Sequence, residues 1–144
     1  MKNNLHEVTL FILDTKNPEA AIKVLEKCSE KIDFAKKVLV TFNYKKKHDG
    51  IDIINLKNDF KSDKEISVFF AKDLVNYIDT QFVLSVQTDG WIVNPESWTD
   101  EFLIYDYIGA PWENFTGFTD IPVEQKVGNG GFSLRSKKYI KTTS

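Results

Sequence analysis

Three short stretches hold residue types that could do chemistry. The first is Gln87-Thr88-Asp89-Gly90, a run of polar side chains directly after the apolar Phe82-Val83-Leu84-Ser85-Val86. A lone carboxylate at the end of a buried strand, with an amide two residues earlier, could hold a divalent cation and a sugar-nucleotide. The same residues also suit a polar strand end closed by a turn glycine. The second stretch is Gly128-Asn129-Gly130-Gly131, where glycines permit close backbone approach and Asn129 could contact a sugar or phosphate. A bulge at a strand start is the alternative. The spacing is not that of a dinucleotide fingerprint or a P-loop, because no Gly-Lys-Ser is present and a strand follows in place of a helix. The third stretch, Tyr44-Lys45-Lys46-Lys47-His48-Asp49-Gly50, is basic. It could clamp a phosphate or form a solvated loop, and His48 alone offers no metal spacing.

These stretches need a frame to position them. Val8 to Leu13 is a continuous apolar run with Asp14 and Thr15 at its end. Asn17 can cap a helix that has Pro18 at its first position and Glu19 in its first turn. Ala21, Val24, Leu25, Cys28 and Ile32 then share one helical face, which makes Cys28 a core thiol. Val38 to Phe42 is a second strand, so a β-α-β unit with parallel strands and a right-handed crossover closes by residue 42. Ile51 to Leu56 reads as a third strand. Ser62-Asp63-Lys64-Glu65 is a capping box in which Glu65 reaches back toward Ser62. Ile66, Phe69, Phe70, Leu74 and Tyr77 follow as an apolar face packed on the sheet. The alternation predicts a three-layer α/β fold with a mostly parallel sheet.

Beyond Gly90 the pattern shortens. Trp91-Ile92-Val93 reads as a strand, Asn94-Pro95-Glu96 as a helix start running to Leu103, and Ile108 to Pro111 as a strand that proline ends. Glu113 to Lys126 has no clear period and suits either a lid over a site or a surface excursion. Phe132 and Leu134 alternate with Ser133 and Arg135 as on a strand, and Ser136 can cap a last helix.

The 144 residues fit a single domain with a real core, and the net charge of -2 gives no electrostatic footprint for nucleic acid. Cys28 is the only cysteine, which excludes an intrachain disulfide and fits a reducing, cytoplasmic setting. No run is long and apolar enough for a transmembrane segment.

Gln87-Thr88-Asp89-Gly90, Asn94-Pro95-Glu96-Ser97-Trp98, Tyr105-Asp106-Tyr107-Ile108-Gly109-Ala110-Pro111-Trp112 and Val127 to Ser136, in this order, resemble a family of uncharacterised domains grouped with GT-A-type glycosyltransferases. The Val8 to Thr15 strand is similar to the family's start. The resemblance implies a nucleotide-diphospho-sugar transferase fold, with residues 8–90 as the nucleotide-binding half and 91–144 as the start of an acceptor half. It implies transfer of a sugar from a nucleotide-sugar donor to a glycan or lipid-linked acceptor. Gln87-Thr88-Asp89 would occupy the place of an Asp-x-Asp motif, with Asp89 as the ligand of Mn²⁺ or Mg²⁺. Gln87 stands where the first Asp would be, and an amide bonds a hydroxyl but adds no charge. Asp14 and Thr15 would meet the base and ribose, Asn129, Gly130 and Gly131 the donor sugar, and Trp112 a sugar face of the acceptor. The acidic residue that such enzymes carry after the glycine-rich segment has no counterpart, so the fold is expected to be C-terminally truncated. The resemblance therefore also admits a non-catalytic nucleotide-sugar or carbohydrate-binding module, or an inactive fragment of a longer transferase.

Overall fold

Val8 to Ile12 is buried without a break, so this segment must be covered on both faces, and it forms the middle of the sheet. In the computed structural model, which describes residues 3–111, 122 and 128–144, the strands are β1 (Asn3–Leu13), β2 (Ile32–Thr41), β3 (Asp52–Asn55), β4 (Phe82–Val86), β5 (Tyr107–Ala110) and β6 (Asn129–Ser136). They lie in the order β3-β2-β1-β4-β6-β5. The pairs β3–β2, β2–β1 and β1–β4 are parallel, and β6 runs antiparallel between β4 and β5. The fold is thus mixed α/β with a mostly parallel six-stranded sheet, as expected.

Helices cover both faces. Helix α1 (Pro18–Cys28) starts where the Asn17 side chain accepts the amide of Ala20. It buries Ala21, Ile22, Val24, Leu25 and Cys28 against Leu10, Ile12, Leu84 and Leu134. Burial raises the Cys28 thiol above its ordinary range, as befits a core thiol. Helix α2 (Asp63–Val68) continues as a π-helical turn (Phe69–Asp73) and a 3₁₀ turn (Leu74–Tyr77). With α3 (Lys137–Thr143), capped by Ser136, this segment packs Phe69, Leu74 and Ile140 on Phe11, Val38, Val40 and Val83. The register explains the two sets. Leu10, Leu84, Leu134 and Ile108 lie side by side across the sheet, and so do Thr9, Val83, Arg135 and Tyr107, on the other face.

Several boundaries differ from the sequence reading. Ile32 is not on the α1 face. The helix stops at Cys28, and Ile32 opens β2, pairing with Asn3. Trp91 to Val93 is not a strand, because the chain turns back at Gly90 and leaves no neighbour for it. The helix expected from Asn94 to Leu103 is two 3₁₀ turns, Pro95–Ser97 and Asp100–Ile104. Glu65 reaches back past the cap residue to accept the Lys61 amide at 2.8 Å, while Ser62 accepts the Glu65 amide at 3.3 Å. The glycines after Gly128 do not form a loop before β6 but are its first residues.

Candidate functional site

Parallel strands bring their carboxyl ends to one edge of a sheet, and the polar residues that follow them meet there. Asp14 and Thr15 follow β1, and Gln87 follows β4. Because β6 is antiparallel to β4, its amino end reaches the same edge. Ser85 pairs with Ser133, so two residues further on Gln87 meets Gly131. The chain then reverses at once. The Gln87 amide donates to the Gly90 carbonyl at 2.8 Å and the Gly90 amide to the Gln87 carbonyl at 3.2 Å. Thr88 and Asp89 are left exposed at the tip.

Two adjoining hollows result, sharing Ile66, Phe70 and Gln87 as their common wall. The first, about 510 Å³, is lined by Asp14, Thr15, Lys16 and Ser62. The second, about 560 Å³, is lined by Gly130, Gly131, Tyr107, Arg135 and Tyr139. The structure therefore gathers Asp14, Thr15, Gln87, Gly130 and Gly131 along one groove. Asp89 lines neither hollow. Asn129 contributes backbone to β6, while its side chain lies outside the described residues. So do Trp112 and nearly all of the stretch from Glu113 to Lys126 read as a lid or surface excursion.

Local bonding constrains what these residues can do. Asp14 uses Oδ1 to accept the amides of Lys16 at 2.9 Å and Asn17 at 2.7 Å, which shapes the turn into α1. Asp59 is held below the usual carboxylate range by Lys16 first and then by the Thr15 side chain. The basic loop is partly paired with α1. Lys46 meets Glu19, and the Tyr44 hydroxyl donates to Glu19 at 3.0 Å and lies 2.9 Å from His48 Nε2. Its Lys46 charge is therefore already matched.

Three groove residues went unremarked as site residues in the sequence: Arg135, Tyr107 and Phe70. Arg135 is 8% exposed. Its guanidinium carbon lies 5.1 Å from the centre of the Phe70 ring and 5.6 Å from that of Tyr107. Each such contact contributes about 0.5–2 kcal/mol. Nε donates to the Ser133 hydroxyl at 3.2 Å, and the side chains of Arg135 and Tyr107 also bond. Burial lowers the Arg135 pKa and raises that of Tyr107. The alternation of Ser133 and Arg135 with Phe132 and Leu134 was the available signal, but it does not say which face meets the groove. Phe70 packs on the core as the sequence implies, and its half-buried ring also forms a groove wall.

Among the described residues, no three His, Cys, Asp or Glu side chains come together in a way that could hold a metal ion. Mg²⁺ favours octahedral oxygen coordination, and Asp89 supplies a single exposed carboxylate. The described residues do not fit a resident cation. No helix among them is long and apolar enough to cross a membrane.

No curated protein matches the chain. Residues 50–144, about two thirds of the chain, match the family described as "Protein of unknown function (DUF5672)". The chain belongs to this family. The match begins after β1, α1 and β2, and so covers less of the chain than the resemblance read from the sequence.

Proposed function

We propose that this member of the family is a glycosyltransferase of GT-A type that moves a sugar from a nucleotide-sugar donor to a glycan or lipid-linked acceptor. The observation that carries the reading is the pair of adjoining hollows that together extend from Asp14 and Thr15 past Gln87 to Gly130 and Gly131. It sits at the carboxyl edge of the parallel strands, where open α/β sheets take ligands. In this reading the base and ribose lie over Asp14 and Thr15, Gln87 bonds a ribose or sugar hydroxyl, and the donor sugar rests on the flat surface of the two glycines and Asn129. Trp112 takes the acceptor.

In the reaction the bond from the anomeric carbon to the donor diphosphate breaks, and a bond to an acceptor hydroxyl oxygen forms. The hydroxyl proton is released and the nucleoside diphosphate leaves. A divalent cation belongs to this reading only as a companion of the diphosphate at Asp89, and no step is assigned to it.

A non-catalytic nucleotide-sugar or carbohydrate-binding module is the second reading. It is favoured by the second hollow, which no carboxylate lines among the described residues, so none of these offers a base to the acceptor hydroxyl there.

Calorimetric titration of UDP and GDP, with and without Mn²⁺, into wild type and Asp89→Ala tests the donor site. Binding that Mn²⁺ strengthens and Asp89→Ala abolishes supports the GT-A reading with a donor-borne cation. Binding indifferent to both supports a metal-independent transferase or a binding module, which a sugar-transfer assay separates. Absence of any UDP or GDP binding counts against a donor site for either nucleotide and leaves a carbohydrate-binding module or an inactive fragment of a longer transferase.

A further inference from the structure

Neither the Gln87 turn nor the glycine pair explains why a cation lies buried in the groove. Arginine is almost never this buried without an opposite charge. The six ion pairs among the described residues all involve lysines, and none includes Arg135. Among the described residues its partners are two hydroxyls and two ring faces, none of which cancels a full charge. The guanidinium is a planar fork of donors, so these contacts do not exhaust it. It is also fixed in place. The rings of Phe70 and Tyr107 flank it, and a Cβ on Gly130 would stand 2.6 Å from Nη2, so the fork lies where only glycine leaves room. Ser67, Gln87 and Tyr139 complete the surrounding wall with polar groups.

We propose that Arg135 is an oxyanion-binding residue at the floor of the second hollow, and that the oxyanion is the diphosphate of the donor nucleotide. The assignment to a donor rests on the glycosyltransferase reading, whereas the oxyanion site itself rests on the geometry. A rigid fork can meet two oxygens of one phosphate, and its charge is felt more strongly in a partly closed hollow than in water. It would supply the positive charge for which the described residues provide no metal cage.

The test uses pyrophosphate as probe, in EDTA, with UDP and uridine in parallel, on wild type, Arg135→Met and Arg135→Lys. Pyrophosphate and UDP are expected to bind wild type without metal and to raise its Tm. Arg135→Met should weaken both by about tenfold or more, Arg135→Lys should do so less, and uridine should not distinguish the three. The ligand-free Tm separates this role from a structural one. A buried charge kept for a ligand is costly to the free fold, so Arg135→Met should melt at or above the wild-type temperature. A marked drop in Tm together with unchanged pyrophosphate affinity in Arg135→Lys overturns the proposal. So does pyrophosphate that fails to bind wild type, or that binds Arg135→Met equally well. If pyrophosphate binds through Arg135 while no nucleotide binds, the oxyanion site stands and the donor reading falls. If UDP binds all three proteins alike, the donor reading stands and this assignment falls.

Discussion

Gln87 Oε1 lies 2.5 Å from the point where a side chain on Gly131 would place its Cβ. The β4 tip and the first residues of β6 therefore adjoin closely, with the Gln87 amide filling the space that a Gly131 side chain would take. Gly130 stands in the same relation to Arg135, with 2.6 Å to Nη2. The two neighbours differ in their freedom to move.

Gly131→Ala and Gly130→Ala should accordingly differ in cost. Gln87 is exposed and its amide is the far end of a flexible chain, so it can swing aside. Gly131→Ala is expected to change folding stability by under about 1 kcal/mol. The Arg135 fork is held between two rings, so Gly130→Ala should cost about 1–3 kcal/mol through overpacking. Urea unfolding of both variants checks the order, and equal costs would contradict the assigned difference in mobility.

Gln87→Ala and Gly131→Ala should also fail to add in nucleotide binding. Both remove the Gln87 amide from its present position, so the double variant should bind like the weaker single one. A calorimetric double-mutant cycle measures this. Full additivity would mean that Gly131 meets the ligand independently of Gln87.

The frame was legible because its signals are local. The unbroken run from Val8 to Leu13, the Asn17-Pro18 start of α1 and the Ser62 cap each follow from a few adjacent residues. The carboxyl-edge location of Asp14 and Gln87 followed from the β/α alternation. Arg135 stayed hidden because its role depends on β6 being antiparallel and wedged between β4 and β5, a long-range pairing that no local period encodes. Ile32 was misplaced for a related reason. It continues the α1 spacing by number, and only the pairing of Asn3 with Ile32 shows that the helix has already ended. Phe70 packs on the core as its spacing implies, but its second role as a groove wall was hidden because a π-helical turn from Phe69 to Asp73 departs from the regular helical period.

Removing the α2 cap tests the first hollow's wall. Ser62 Oγ accepts the Glu65 amide at 3.3 Å, and α2 is only six residues long before its geometry changes. Ser62→Ala is expected to cost about 1 kcal/mol. Fraying at this cap should increase amide exchange at Glu65 and Ile66 more than at Leu74, which is buried in the core. Hydrogen exchange read residue by residue would show it, and uniform acceleration across the segment would argue for global destabilisation instead.

The pH dependence follows from surface pairs. Glu19, Asp59, Asp79 and Asp106 are held below their ordinary values, chiefly by hydrogen bonds from Lys46, Lys16, Lys36 and Ser136 respectively. Their stabilisation is complete above the unfolded carboxylate range and is lost as pH falls through the lowered folded values. Lys36 and Lys46 are raised, so their stabilisation is complete below the unfolded lysine value and is lost as pH rises through the folded one. Tm should thus be flat near neutrality and fall below about pH 4 and above about pH 10, with salt reducing both slopes. A steep change between about pH 6 and 8 has no source among these pairs and would count against them.

Phe11 should be the costliest single position. It is fully buried at the centre of β1, its ring 6.4 Å from that of Phe69 and 6.1 Å from that of Phe70. Phe11→Ala should cost about 3–5 kcal/mol, a large part of the roughly 5–15 kcal/mol available to a domain of this size. Phe11→Leu retains much of the apolar area and should leave the protein folded, but it removes the edge contact that steadies Phe70. Because Phe70 is also one of the two rings flanking Arg135, Phe11→Leu should weaken pyrophosphate binding although Phe11 itself lines neither hollow. Denaturation curves and pyrophosphate titrations of the same samples test both halves. An unchanged affinity in a destabilised Phe11→Leu would show that Arg135 holds its place without the support of Phe70.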